Sequence, residues 1–326
     1  MKGGLRCLVV GGAGFIGGHC VDRLMVDPAV REVVAYDNFS SGREWHLAHH
    51  DGSPRLRVVR ADVKDFEMLV GTMRGADLVV HLASNPDIAR AATDPAIDFH
   101  EGTYLTHQIV EAMRITQTPQ LLYASGSGVY GDLGELEVSE DYGPLRPIST
   151  YGASKLAGEA LICAYCHMFD LAACVFRFGN VVGPRQTHGV GFDFLRQLQA
   201  RCDSLRILGD GTQSKSYIYV SDVVDAVLLA ARAPGERFRA YNVATGDYIT
   251  VREIAELAVE SAGLAAGSVE FQFTGGQRGW KGDVPVVRMN TTRIRSLGWR
   301  NRMGSREALL ASLGALREDA AVGRLW

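Results

Sequence analysis

The tightest constraint on this chain lies near its start. The short apolar run Leu5–Val10 is followed at once by Gly11-Gly12-Ala13-Gly14-Phe15-Ile16-Gly17. The run reads as a strand and residues 15–26 read as a helix, so the glycines fall where a strand turns directly into a helix. Only that context gives a glycine pattern meaning. Gly11 permits the tight turn, and Gly14 lets a pyrophosphate approach the backbone and the helix N-terminus. Gly17 lets the helix pack closely on the strand, and Phe15 and Ile16 complete the turn. The spacing is G-x-x-G-x-x-G rather than G-x-G-x-x-G.

The same alternation continues downstream. Residues 32–36, 56–60, 78–82, 120–124 and 172–176 read as further strands, and 97–115 and 151–168 as helices. Nearly continuous apolar strands alternating with helices predict a parallel sheet covered on both faces, a Rossmann-type doubly wound α/β fold. After about Gly179 the pattern becomes irregular, with helices at 192–201, 221–231 and 251–262. The reading is a cofactor domain over 1–178, with a return contribution near 215–245. A smaller, irregular α/β lobe over 179–326 would hold the substrate.

Bulk properties narrow the classes. With 326 residues and a formal net charge of −3, nothing in the charge balance calls for nucleic acid or an anionic membrane. No apolar run approaches the length of a membrane span. The start reads as a strand rather than a signal peptide, because glycines break it at once. The 6 cysteines show no disulfide framework, which points to a reducing compartment, the cytoplasm. Cys163-x-x-Cys166 reads as buried small hydrophobes within a helix, and His46, His49 and His50 as solvated loop residues. Arg293, Arg295, Arg300, Arg302 and Arg306 read as a solvated face.

Asp37 closes the second strand, 20 residues after Gly17. A carboxylate there accepts hydrogen bonds from adenosine ribose hydroxyls and repels a 2′-phosphate, which favours NAD over NADP. Asn38, Ser40, Ser41 and Gly42 sit where they reach the same nucleoside, and Asp62 and Val63 follow the third strand toward the adenine edge. Tyr151 and Lys155 are 4 residues apart, on one face of a helix. A nearby ammonium favours phenolate, which makes Tyr151 a general base for an alcohol and its conjugate acid a proton donor.

Taken together, the Gly turn, Tyr36-Asp37-Asn38-Phe39-Ser40-Ser41-Gly42, His81-Leu82-Ala83-Ser84, Val129-Tyr130-Gly131-Asp132 and Tyr151-x-x-x-Lys155 resemble the extended short-chain dehydrogenase/reductases. So do Arg177-Phe-Gly-Asn180-Val-Val-Gly183-Pro184-Arg185, the run Gly209 to Asp222, and Gly279-Trp280-Lys281-Gly282-Asp283. Within that family the chain is most similar to the nucleotide-sugar 4-epimerases. The resemblance implies a tightly held NAD, with Leu82, Ala83, Ser84, Phe178, Tyr151 and Lys155 among its contacts. It implies that Tyr151 takes the proton of the sugar 4-hydroxyl, and that Lys155 also binds the nicotinamide ribose. Asn180, Lys215, Tyr217 and Arg278 are the implied UDP-sugar contacts, and Arg185 would meet the carboxylate of a uronate. A homodimer through the helices near 97–115 and 151–168 is the implied assembly.

One departure matters. Relatives carry a Ser or Thr four places before the Tyr of Val-Tyr-Gly, where this chain has Gly126. Ser125 and Ser127 are the candidates to replace it, with Ser127 slightly favoured, and water or a substrate hydroxyl is the alternative relay. The same segment has no carboxylate at 127 or 128, which disfavours the 4,6-dehydratase and decarboxylase chemistries of the family. The remaining alternatives are an NAD-dependent nucleotide-sugar reductase or dehydrogenase and a catalytically weakened NAD-binding regulator.

Overall fold

The computed structural model describes residues 4–85 and 88–325. The chain forms two compact units. One comprises the residues up to Gly126 with Ala153–Arg177 and Val227–Tyr241, and the other Ser127–Gly152, Phe178–Ala226 and Asn242–Trp326. The chain thus passes between the units several times, with one return to the first unit at Val227–Tyr241.

The first unit is built on a sheet of seven strands: β1 (Leu5–Val10), β2 (Val30–Asp37), β3 (Leu56–Arg60), β4 (Leu78–His81), β5 (Gln120–Gly126), β6 (Ala172–Phe178) and β7 (Phe238–Val243). Their order is β7-β6-β5-β4-β1-β2-β3. β1 runs parallel to β2 and β4, β2 to β3, and β4 to β5. Five of the six residues of β1 are buried, as expected of a strand covered on both faces. In register, Val10 lies beside both Tyr36 and His81. The chain order reverses between β1 and β4, and the carboxyl ends of strands at such a reversal are where doubly wound sheets bind ligands.

Helices α1 (Phe15–Met25), α2 (Phe66–Met73), α3 (Tyr104–Thr116) and α4 (Thr150–Met168) accompany this sheet. The core joins Leu8, Val10, Val34, Tyr36 and Val79 of the strands to Leu69, Ile109, Met113 and Ile162 of the helices. Each such side chain contributes about 1.5–3 kcal/mol by leaving water. The strand expected at 32–36 is longer, and α2 was not anticipated because it is only 8 residues long. Its start is set by Asp65, whose carboxylate accepts from the Met68 N–H at 3.1 Å. The helix expected over 97–115 opens with a π-turn, Phe99–Thr103, before α3 begins. Gly102 lies in that turn, where a Cβ would stand 2.1 Å from Ser154 Oγ of α4.

The second unit has its own core. The helices Val190–Ala200, Val251–Ser261 and Ser305–Ala321 bury Phe194, Leu198, Ile254, Leu257, Leu309 and Leu313 against the parallel strands Ser204–Ile207 and Glu270–Phe273. The Val251–Ser261 helix starts with a reciprocal capping box between Thr250 and Glu253. The terminal arginines are paired rather than simply solvated. Arg302 bonds Asp222 and Asp225, Arg293 bonds Asp141, and Arg295 donates to the Thr245 carbonyl. Among the described residues no helix is long and apolar enough to cross a membrane, and every cysteine is a free thiol. Cys166 sits in the first core, where burial pushes its thiol up to about 12.

Candidate active site

The glycine turn is built from close backbone approaches. Gly11 has φ +83°, and a Cβ there would meet the Ala83 nitrogen at 2.8 Å. A Cβ on Gly17 would fall 1.9 Å from the Gly11 carbonyl oxygen, so only glycine lets α1 begin so close to β1. Gly12, which sequence reasoning passed over, is equally tight: its Cβ would meet that of Ala35 at 2.8 Å. The Leu82 and Ala83 N–H groups both donate to the Val10 carbonyl, which brings the segment after β4 against the turn. Gly14 caps α1 in extended conformation, and no acidic residue occupies the first turn of the helix. Its open N–H groups and positive end suit a pyrophosphate. Phe15 is buried and Ile16 half-buried just inside the helix.

Asp37 braces this turn. One carboxylate oxygen accepts from the Ala13 N–H at 2.9 Å and the other from the Phe39 N–H at 2.7 Å. Burial pushes its acidity toward weaker acid, against those N–H donors and the charge of Arg60. The Gly14 N–H is a further backbone donor to this carboxylate. Gly42 packs beside it, where a Cβ would stand 2.9 Å from Asp37 Oδ1. Asn38 donates to Asp62 Oδ2 at 2.9 Å and accepts from the Ser40 N–H, which ties the two expected nucleoside segments together. Ser41 is half-buried in the same loop. Val63 is different, since its side chain belongs to the core. Ser84 donates to the Asn85 carbonyl at 3.3 Å.

Helix α4 is started by Ser149, whose hydroxyl accepts from the Gly152 N–H at 3.0 Å. Tyr151, half-buried, and Lys155, only 4% exposed, then follow one turn apart. Lys155 Nζ donates to the Ala124 carbonyl at 2.8 Å and lies 5.2 Å from the Tyr123 ring centroid. Burial pulls its ammonium down from the usual 10.5 to about 8, opposed by the carboxylates of Asp98 and Glu159. It therefore remains mainly charged at neutral pH. His81 is neutral there, because burial and then the charge of Lys155 pull it to about 3.

The two serines have different positions. Ser125 is buried and donates to Glu159 Oε1 at 2.5 Å, while Glu159 forms a buried ion pair with Arg177 at 2.7 Å. Its hydroxyl proton is thus given to Glu159 in the core. The alternation of side chains along β5 sends 125 inward. Ser127, half-buried, opens the turn Ser127–Val129, which presses on the first turn of α4 and ends in the buried Val129. A Cβ on Gly152, next to Tyr151, would stand 2.6 Å from the Gly128 carbonyl oxygen. Gly126 faces open space: a Cβ there meets no atom within 4 Å.

In the second unit the expected anchors are mostly cations with partners. Lys215 Nζ bonds Asp283 Oδ1 at 2.6 Å, and the Asp283 side chain is 2% exposed. Asp283 Oδ2 also accepts from the Gly279 N–H at 3.0 Å. Arg278 bonds Asp132 and the Asp283 carbonyl. Asp283 is therefore the hub of this loop, a role its place at the end of Gly279-Trp-Lys-Gly-Asp283 did not reveal. Arg288 was also missed. It stacks 4.0 Å from the Tyr248 ring centroid and donates to the carbonyl of Ser214, the neighbour of Lys215. Asn180 is exposed and Arg185 half-buried, with Arg185 in a left-handed conformation at φ 64°. Phe178 is buried at the end of β6. The Tyr217 ring belongs to the core, where burial pushes its hydroxyl far up.

Comparison with known proteins fits this geometry. Residues 7–244 match the model of the NAD dependent epimerase/dehydratase family. The UDP-glucose 4-epimerase of Mycolicibacterium smegmatis is 33% identical over 324 residues, 97% of this chain and 100% of that protein. A solved UDP-galactose 4-epimerase superposes with TM-score 0.85 at 36% identity, covering 97% of this chain and 99% of its own. The NAD-bound dTDP-glucose 4,6-dehydratase of Streptomyces venezuelae superposes with TM-score 0.89 at 26% identity, covering 98% of each chain. Glycine turn, bracing aspartate and Tyr–Lys helix together make this chain a member of the NAD-dependent epimerase/dehydratase family within the extended short-chain dehydrogenase/reductases, with NAD as its cofactor.

Proposed function

We propose that this chain is a UDP-hexose 4-epimerase. The observation that carries the reading is the composition of the segment that presses on α4. Ser125-Gly126-Ser127-Gly128-Val129 supplies no carboxylate beside the turn that bears Tyr151, so eliminating water or losing CO2 has no acid or base there to assist it. Exchanging configuration at C4 would need a hydride to leave C4 for the bound nicotinamide, the 4-keto sugar to turn, and the hydride to return to its other face; of the side chains it asks only that the 4-hydroxyl proton be taken and returned.

In this reading the α1 N-terminus holds the pyrophosphate of NAD, and Asp37 its adenosine ribose. Bound NAD supplies a reversible hydride acceptor for C4. Tyr151 takes the 4-hydroxyl proton and later returns it. Lys155, still charged, favours the phenolate that does so. Ser127 is the side chain proposed to share that proton. Lys215 exchanges Asp283 for the diphosphate, and Asn180 and Arg278 complete its anchoring. The substrate pair is UDP-glucose/UDP-galactose or UDP-glucuronate/UDP-galacturonate, with Arg185 facing a C6 carboxylate in the second case. The proposed assembly is a homodimer through α3 and α4, supported by exposed Phe99, Tyr104, Ile115 and Met168 in and beside those helices. The free cysteines support a cytoplasmic setting.

Purified protein offered a panel of UDP-sugars without added reductant should interconvert one C4-epimer pair. Tyr151→Phe should abolish this while leaving the amount of bound NAD unchanged. A protein that holds NAD yet shifts no pair, or a Tyr151→Phe variant as fast as the wild type, overturns the proposal.

A further inference from the structure

Away from the residues assigned above, three side chains of the first unit converge. Asp22 lies on the second turn of α1, and His49 and His50 end the short turn Ala48–His50. Nε2 of His49 stands 2.7 Å, and Nε2 of His50 2.9 Å, from the same Asp22 oxygen, Oδ1. The two rings lie 4.0 Å apart, inclined by 43°. Among the described residues this is the group of His, Cys, Asp or Glu whose ligand atoms, one from each, all fall within 4.8 Å of one another. The loop was expected to be simply solvated, yet the His50 side chain is only 15% exposed.

We infer that Asp22, His49 and His50 form a binding site for a divalent transition-metal ion. Two imidazole nitrogens and one carboxylate oxygen are a donor set for zinc, nickel, cobalt or copper, whereas magnesium and calcium take oxygen ligands. Binding needs little rearrangement. Each ring moves its proton from Nε2 to Nδ1, which frees the Nε2 lone pair now turned to Asp22. The Asp22 carboxylate would supply the third ligand, and water would complete the coordination on the exposed side of His49. The ion would staple the 44–50 segment to α1. That segment also holds His46, whose Nδ1 is 2.7 Å from the Ala13 carbonyl of the glycine turn. The site is therefore structural, and it is separate from the hydride and proton chemistry.

The test is calorimetric titration of the NAD-loaded, chelator-treated full chain with zinc chloride, together with His49→Gln, Asp22→Asn and the double variant His49→Gln/His50→Gln. The wild type should bind one equivalent with a rise of several degrees in thermal midpoint. The single variants should weaken binding by about tenfold or more, and the double variant should lose it while keeping its bound NAD and circular dichroism. Cobalt chloride should give weak visible bands without the intense near-ultraviolet absorption of a thiolate ligand. Absence of binding by the wild type at micromolar zinc, equal binding by the double variant, or a thiolate spectrum would each overturn the inference.

Discussion

The glycine turn of the first unit and the Lys215–Asp283 loop of the second, the two segments proposed above to meet phosphate, are built in different ways. In the turn the work is done by main chain: a helix N-terminus, backbone approaches that leave no room for a Cβ, and a carboxylate held by two N–H groups. In the second unit the cations already face carboxylates, so under the proposed function an incoming diphosphate has to take Lys215 from Asp283. On that reading the first loop is shaped by backbone alone, while the second exchanges partners. The difference teaches that a site made of backbone is rigid because of what is missing from its residues, and a site made of charges is stable because of what is paired.

The largest test of this contrast is Gly17→Ala. With the new Cβ placed 1.9 Å from the Gly11 carbonyl, α1 must move away from β1. More than about 3 kcal/mol of stability should go, and bound NAD with it. Nucleotide released on denaturation and the thermal midpoint measure both, and unchanged values would mean that the turn is not limited by its backbone.

Next in size is Arg177→Ala, which strands Glu159 in the core. Losing one partner of a buried pair costs about 3–5 kcal/mol. Urea unfolding should show it, and a loss below 1 kcal/mol, about the worth of a surface pair, would place this pair with the exchangeable charges of the second unit.

Lys155→Met sharpens the comparison through pH. The folded chain holds the Lys155 proton less firmly than the unfolded chain, with a value of about 8 against 10.5. Between those values the unfolded state binds more protons, so this lysine's contribution to stability rises with pH, and the cost of its buried charge is fully present below about 8. The wild-type minus variant difference in unfolding free energy should climb by about 3 kcal/mol across that window. A difference that does not change with pH would contradict the burial of its charge.

The smallest effect should follow Gly126→Ser. Open space surrounds that position, so stability should stay within about 0.5 kcal/mol of the wild type. If the family hydroxyl is what this chain lacks, turnover rises. A marked fall in stability would show that the absence of a side chain at 126 is structural.

Much of the first unit was legible because its constraints are local. Gly11, Gly14 and Gly17 report a strand-to-helix turn within a few residues, and Asp37 follows from the length of one βα unit. Nothing local announces Asp283 as the partner of Lys215, 68 residues away, or Glu159 as the acceptor of Ser125. The side to which Ser125 turns depends on strand alternation, which could be read. The buried Arg177–Glu159 pair that fixes it there could not. Tyr217 is a related case: a tyrosine in a family motif is equally at home against a ligand or inside a core, and that its ring packs in the core could not be read locally.

Asp37 has a consequence for anyone who would redesign this protein to accept a phosphorylated dinucleotide. If Asp37 holds the adenosine ribose as proposed, the residue to be removed to admit the extra phosphate also receives the Ala13 and Phe39 N–H groups. Shortening it to glycine would leave these donors needing new acceptors, so on that reading cofactor preference and the integrity of the turn are a single trait. A successful switch would have to carry its own replacement acceptor.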